Sequence, residues 1–175
     1  MSNMTLQPRA EVGDRTAFLL SKRLRLFLVA AAAVLTLLSC YGVVRWLLGY
    51  SVLQPRSIAV VIHIATVLPA IPLGAYLLLS MKGDYRHRML GYVWLALMMV
   101  TAISTIFIRF NGSFSLIHIF TVLAFIAVPG AITSARSRNI VKHRKHMIQF
   151  YIGALIIAGI TAFAPGRTMW HWAFG

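Results

Sequence analysis

The sequence predicts an all-α integral membrane protein with five transmembrane helices, on three observations. The first is composition: of 175 residues, 59% are hydrophobic and 11% charged, with mean hydropathy +0.80. A soluble domain carries roughly twice that charged fraction. The second is five charge-free stretches, Leu26–Val44, Ser57–Met81, Met89–Ile108, Phe110–Ala135 and Met147–Gly166. Each is close to or above the ~20 residues a helix needs to cross a hydrocarbon core. The third is the placement of the basic residues, which gather in alternate connections.

Span one follows Lys22, Arg23 and Arg25, so a cleaved signal peptide must be considered, with Leu38-Ser39-Cys40 as a faint lipoprotein-like site. The basic residues begin more than twenty positions into the chain, and the apolar run continues past Cys40. Both features favour a retained helix with Cys40 as a packing residue. Spans two and four contain Pro69, Pro72 and Pro129, expected as kinks or local breaks. Arg109-Phe110-Asn111-Gly112 reads as a tight turn between spans three and four, and Pro165-Gly166 ends span five. Uninterrupted apolar runs do not fit the alternation of an outer-membrane barrel strand. Within lipid a helix satisfies its own backbone.

Thirteen basic residues lie on one side of these spans: Arg9, Arg15, Lys22, Arg23 and Arg25; Lys82, Arg86 and Arg88; Arg136, Arg138, Lys142, Arg144 and Lys145. Only Arg45, Arg56, Arg109 and Arg167 lie on the other. The positive-inside rule then puts the N-terminus in the cytoplasm and the C-terminus outside. The net charge of +14 is thus topology and not a nucleic-acid footprint. Trp46 and Tyr50 above span one, Tyr85 at the inner surface, and Trp170 and Trp172 in the tail are expected as interfacial aromatics. The expected organisation is a basic segment 1–25, a peripheral transmembrane helix 26–50, a four-helix bundle 57–166 and an outer interfacial tail 167–175. His171, in that tail, is expected only to be interfacial.

Composition also excludes chemistry. Three acids, Glu11, Asp14 and Asp84, leave little for paired-carboxylate catalysis or carboxylate-held Ca²⁺. A lone cysteine permits no intrachain disulfide and no thiolate-rich metal site. No catalytic side chain stands out. Met81, Met89, Met98, Met99 and Met147 lack the paired spacing of a Cu(I) site and read as ordinary apolar residues.

An internal repeat organises the bundle. Residues 62–71 (IHIATVLPAI) and 117–126 (IHIFTVLAFI) agree at seven of ten positions, including His63 with His118 and Thr66 with Thr121. Gly74-Ala75 then matches Gly130-Ala131, and each copy enters a basic loop with a His-Arg pair, His87-Arg88 and His143-Arg144. Both copies run in the same direction. Repeat one (57–110) and repeat two (111–166) are therefore parallel helical hairpins about a pseudo-twofold axis along the membrane normal.

Under that symmetry His63 faces His118 near the outer surface, and His87 faces His143 near the inner one, about 20 Å deeper. Histidines inside spans are costly and point to function. Two imidazoles are too few for a closed zinc site, but they supply both axial positions of a haem. His63, Thr66, Ala70 and Gly74 share a small-residue face, and Gly91 follows His87 by one turn; both would let a porphyrin edge approach. The bland alternatives are carbonyl-bonded packing histidines for His63 and His118 and interfacial ones for His87, His143 and His146. Arg86, Arg88, Arg144 and Lys145 could pair with propionates or simply with anionic lipid.

The layout of histidines on alternate helices resembles that of the two-haem transmembrane cytochromes b of the ascorbate-dependent ferrireductase type. Through "HIATVLPAIPLGAY", "HRMLGYVW", "SLIHIFTVLAFIAVPGAI", "HRKHMIQFYIG" and "PGR", residues 58–170 more closely resemble a bacterial family of predicted membrane proteins of unknown function. That second resemblance implies a membrane location and a shared fold, and with them a bacterial inner membrane. The family's pattern in span five looks like His-Arg-x-Trp-Met. His143 matches its histidine and His146 stands at the tryptophan, so either is a candidate ligand, being on one helix face.

The expectation from sequence is therefore a small b-type cytochrome-like protein with one or two haems b. His63, His118, His87 and His143 are the iron ligands, with His146 as a further cofactor-binding candidate. Its partners are the lipid bilayer and a quinol or soluble electron donor. The alternative is a cofactor-free membrane scaffold or assembly subunit. Transport is disfavoured, because no acid lies in a span and parallel repeats give no pair of broken helices.

Overall fold

The computed structural model describes residues 21–50, 57–80, 83–108 and 117–175. Its helices are α1 (Lys22–Leu47), α2 (Ile58–Leu79), α3 (Tyr85–Ile106), α4 (Ile117–Arg136) and α5 (Ile140–Tyr151). A π-helical segment (Ile152–Ile157) and α6 (Ala158–Ala162) continue α5, and α7 (Thr168–Phe174) closes the chain. No strand occurs among the described residues. Five helical stretches are long and apolar enough to span a membrane, the fifth running from Ile140 to Ala162. Their outward faces carry large exposed hydrophobics such as Ile58, Leu37, Ile126 and Ile160. Such a surface suits lipid and not water.

The helices start deeper in the basic connections than the charge-free stretches suggest. Asp84 accepts the amide of His87 at 2.8 Å and caps α3, while Asn139 accepts that of Lys142 at 3.0 Å and caps α5. His87 and His143 are therefore helical residues and not loop residues. Charge limits how deep a residue sits in a bilayer, but a capped helix can extend into the interface. The prolines do not break their helices: α2 runs through Pro69 and Pro72, and α4 through Pro129. The turn expected at 109–112 lies outside the described residues.

Packing runs in sequence order: α2 against α3, α3 against α4, α4 against α5, with a lighter α5–α2 contact that closes the ring. This is the four-helix bundle of two hairpins, with α1 added outside on α2. Lipid is as apolar as leucine, so close approach and hydrogen bonds hold such helices together. The α2–α3 seam shows both: Ala70, Gly74 and Ala75 are buried small residues of α2, Trp94 Nε1 of α3 donates to the Ala70 carbonyl at 2.9 Å, and further along Thr66 Oγ1 meets Thr101 Oγ1 at 2.8 Å.

The tail forms α7, which packs on α1, and Trp172 is fully buried, stacked on Trp46 at 4.9 Å with 5° between the planes. Gly42 makes room for it, its missing Cβ lying 3.5 Å from that of Trp172. These two tryptophans join helix to helix.

Candidate functional site

The bundle has two ends, a basic end where α3 and α5 begin and an opposite end where they finish. At the opposite end a cavity of about 200 Å³ lies among the helices. His63 lines it from α2, Met98, Thr101 and Thr105 from α3, Thr121 from α4, and Leu155 from the π-helical segment. A π-turn inside an α-helix often marks a functional position. Nothing in the Ile152–Ile157 stretch (IGALII) announces it in the sequence.

The ring of His63 is held by α3. Its Nδ1 lies 3.3 Å from the Thr101 carbonyl, 3.3 Å from Ser104 Oγ and 3.1 Å from Thr105 Oγ1. Both hydroxyls donate to that same carbonyl, at 2.7 and 2.8 Å. Their single hydrogens being used there, they face Nδ1 as acceptors, so Nδ1 carries the hydrogen and Nε2 the lone pair. His118 is half-buried in the first turns of α4 and is not part of the cavity lining. One turn further on, Thr121 takes that place.

Below the cavity the bundle is filled. Trp94 meets Phe150 edge-on at 5.5 Å between centroids, and Tyr151 at 6.5 Å. Trp94 Nε1 donates to the Ala70 carbonyl and Tyr151 Oη to that of Ile71, each at 2.9 Å. Both rings press on Gly74, where an added Cβ would come within 2.6 Å of each. The small-residue face of α2 is thus covered by protein: Thr66 bonds to Thr101 Oγ1 at 2.8 Å, and Ala70 and Gly74 receive Trp94 and Tyr151. Gly91 has nothing within 4 Å of where a Cβ would stand.

At the basic end, His87 precedes Trp94 on α3 by seven residues, and His143 precedes Phe150 on α5 by the same seven. Seven residues are 20° short of two helical turns, so each histidine shares the face of its aromatic partner, about 10 Å nearer the basic end. Helical periodicity thus puts His87 and His143 on the helix faces that carry Trp94 and Phe150, which touch. His143 Nδ1 sits 3.0 Å from the Ala131 carbonyl of α4, to which it donates. His146, one turn on, lies over Gly130, whose added Cβ would be 3.3 Å from its Nδ1. That nitrogen is buried without a hydrogen-bond partner among the described residues. Arg86 and Arg88 are exposed beside His87, and Arg144 is half-buried beside His143.

Among the described residues no three His, Cys, Asp or Glu side chains gather to hold a bare metal ion. Facing imidazoles instead suit a metal that brings its own equatorial ligands. A ligating histidine generally donates its other ring nitrogen to a carbonyl, as His143 does. Two imidazoles carried by α3 and α5 are the donor type that a haem would need at the basic end.

The fold, with an apolar exterior around five spanning helices, defines an integral membrane protein of the all-α class. Within it, residues 60–172 match the family described as "Predicted membrane protein (DUF2306)", and the chain belongs to that family. The match takes in all four helices of the bundle and both sets of histidines. Neither the curated proteins nor the solved structures contain a match to the chain.

Proposed function

We propose that the protein is a small b-type electron carrier of a bacterial inner membrane, with haem held at its basic, cytoplasmic end between His87 and His143. The observation that supports this reading is the edge contact of Trp94 with Phe150, on whose helix faces His87 and His143 would approach each other. His143 is favoured over His146 as ligand because its Nδ1 is tied to the Ala131 carbonyl, leaving Nε2 to the iron. Arg86, Arg88 and Arg144 supply positive charge for the propionates. The haem itself supplies one-electron chemistry, and the chain sets its orientation and excludes water. A second haem on His63 and His118 has less support, since the cavity beside His63 is below the ~300–1,000 Å³ usual for ligand pockets and His118 does not line it.

The second reading, a cofactor-free assembly subunit, draws on the close packing at Gly74. A dithionite-reduced minus oxidised spectrum of the detergent-purified protein, expressed with ample haem, separates the two. One haem per chain with sharp α and Soret bands is expected. A flat spectrum would transfer the assignment to the scaffold.

A further inference from the structure

The repeat is broken at one pair of residues, and the break faces the cavity. Thr66 and Thr121 are equivalent in sequence, yet Thr66 Oγ1 donates to its own helix carbonyls at 2.9 and 3.1 Å and meets Thr101. Thr121 is 7% exposed, lines the cavity, and its Oγ1 has no hydrogen-bond partner among the described residues. A helical threonine ordinarily bonds back to the preceding turn, so a buried free hydroxyl is a group awaiting a partner. Across the cavity, on the diagonally placed α2, His63 offers Nε2 as a lone pair. Between them the walls are largely apolar.

A ligand that satisfies both sides brings an O–H to His63 and a second oxygen to Thr121, with an apolar body between. At ~30 Å³ per water, about 200 Å³ holds about seven waters or one substituted six-membered ring. Apolar walls favour the ring. Water would satisfy the polar groups at the margins, which besides His63 and Thr121 include Ser39, Thr168 and Arg167, but not the apolar wall between them, and among the described residues no three metal-ligating side chains gather to hold a bare ion.

We propose that this cavity binds the dihydroxylated ring of a membrane quinol, one hydroxyl donating to His63 Nε2 and the other paired with Thr121 Oγ1. The reduced form is preferred, because a quinone has no O–H for a nitrogen that can only accept. The inference goes beyond the haem reading and does not rest on it, since the two sites lie at opposite ends of the Trp94–Tyr151 layer.

The test is anaerobic binding of decylubiquinol, and separately of decylubiquinone, to haem-free full-length protein in nanodiscs. It is scored as ligand retained over empty nanodiscs and as a rise in Tm. Wild type is expected to bind the quinol about tenfold more tightly than the quinone, and Thr121→Val to weaken the quinol by about tenfold. Thr121→Ser should bind as wild type. His63→Ala should abolish the preference for the reduced form; if that variant does not fold, the threonine pair still decides. Absence of quinol binding in wild type overturns the proposal, as does equal binding by Thr121→Val and Thr121→Ser. Failure of haem incorporation leaves these results untouched, so the two readings fail separately.

Discussion

Trp94 on α3 and Phe150 on α5 meet with their ring planes at 73°, and each stands seven residues after a histidine at the basic end. By helical periodicity His87 and His143 stand two turns away on the faces that make this contact. An edge-to-face pair between the two helices restrains their rotation and with it the faces that carry the histidines.

Single replacement of either histidine should then remove the haem. His87→Ala and His143→Ala are each expected to lose the α band of the reduced protein, while His146→Ala keeps it. Pyridine haemochrome content per chain checks this. Full haem in both of the first two variants would refute the ligand assignment.

The same layer predicts a sharp contrast between two glycines. Gly74→Ala places a methyl within 2.6 Å of Trp94 and Tyr151 and should destabilise by about 1–3 kcal/mol through overpacking. Gly91→Ala meets nothing within 4 Å and should be neutral, or stabilising by up to about 1 kcal/mol from helix propensity. Thermal unfolding in detergent measures both. Equal Tm values for the two variants would mean that the layer yields to an added methyl at little cost.

Five apolar spans and the all-helical class were legible in the sequence because apolar run length and basic connections act residue by residue. The depth of His87 and His143 was not, because Asp84 and Asn139 extend α3 and α5 beyond the uncharged stretches. The Gly74 face was readable as small, but what fills it depends on Trp94 and Tyr151, which reach it from other helices. Likewise the repeat announces Thr66 and Thr121 as equals. Only packing shows that one is bonded to α3 and the other opens on a cavity.

Tyr151 tests how much an interhelical bond contributes inside this bundle. Its hydroxyl reaches the Ile71 carbonyl from a fully buried position. That carbonyl is already in a helix, so Tyr151→Phe removes a second bond to it and leaves no orphaned donor. The expected loss is about 1 kcal/mol, read from unfolding equilibria in mixed micelles. A loss above about 3 kcal/mol would show that the hydroxyl also positions the ring over Gly74.

Arg45 would ordinarily be read as a charge at the end of a span, held there by headgroups and water. Here it ties α1 to the end of the chain. Its Nη1 donates to the Ala173 carbonyl and its Nη2 to that of Gly175, both at 2.8 Å, while Trp46 next to it stacks on Trp172. Thr168 and Met169, at the start of the helix so pinned, line the cavity. Arg45→Ala should therefore loosen α7 without disturbing α1, which also packs on α2 and the π-helical segment. Two partly solvated charge-assisted bonds correspond to about 1–2 kcal/mol after screening. Amide exchange across residues 168–174 should accelerate by about tenfold or more, with protection of residues 26–40 unchanged. Arg45→Lys should rescue little of this, because an ammonium does not present the planar fork that reaches two carbonyls two residues apart. If exchange in α7 is the same in all three proteins, the Trp46–Trp172 stack alone holds the helix, and Arg45 serves only to anchor the span.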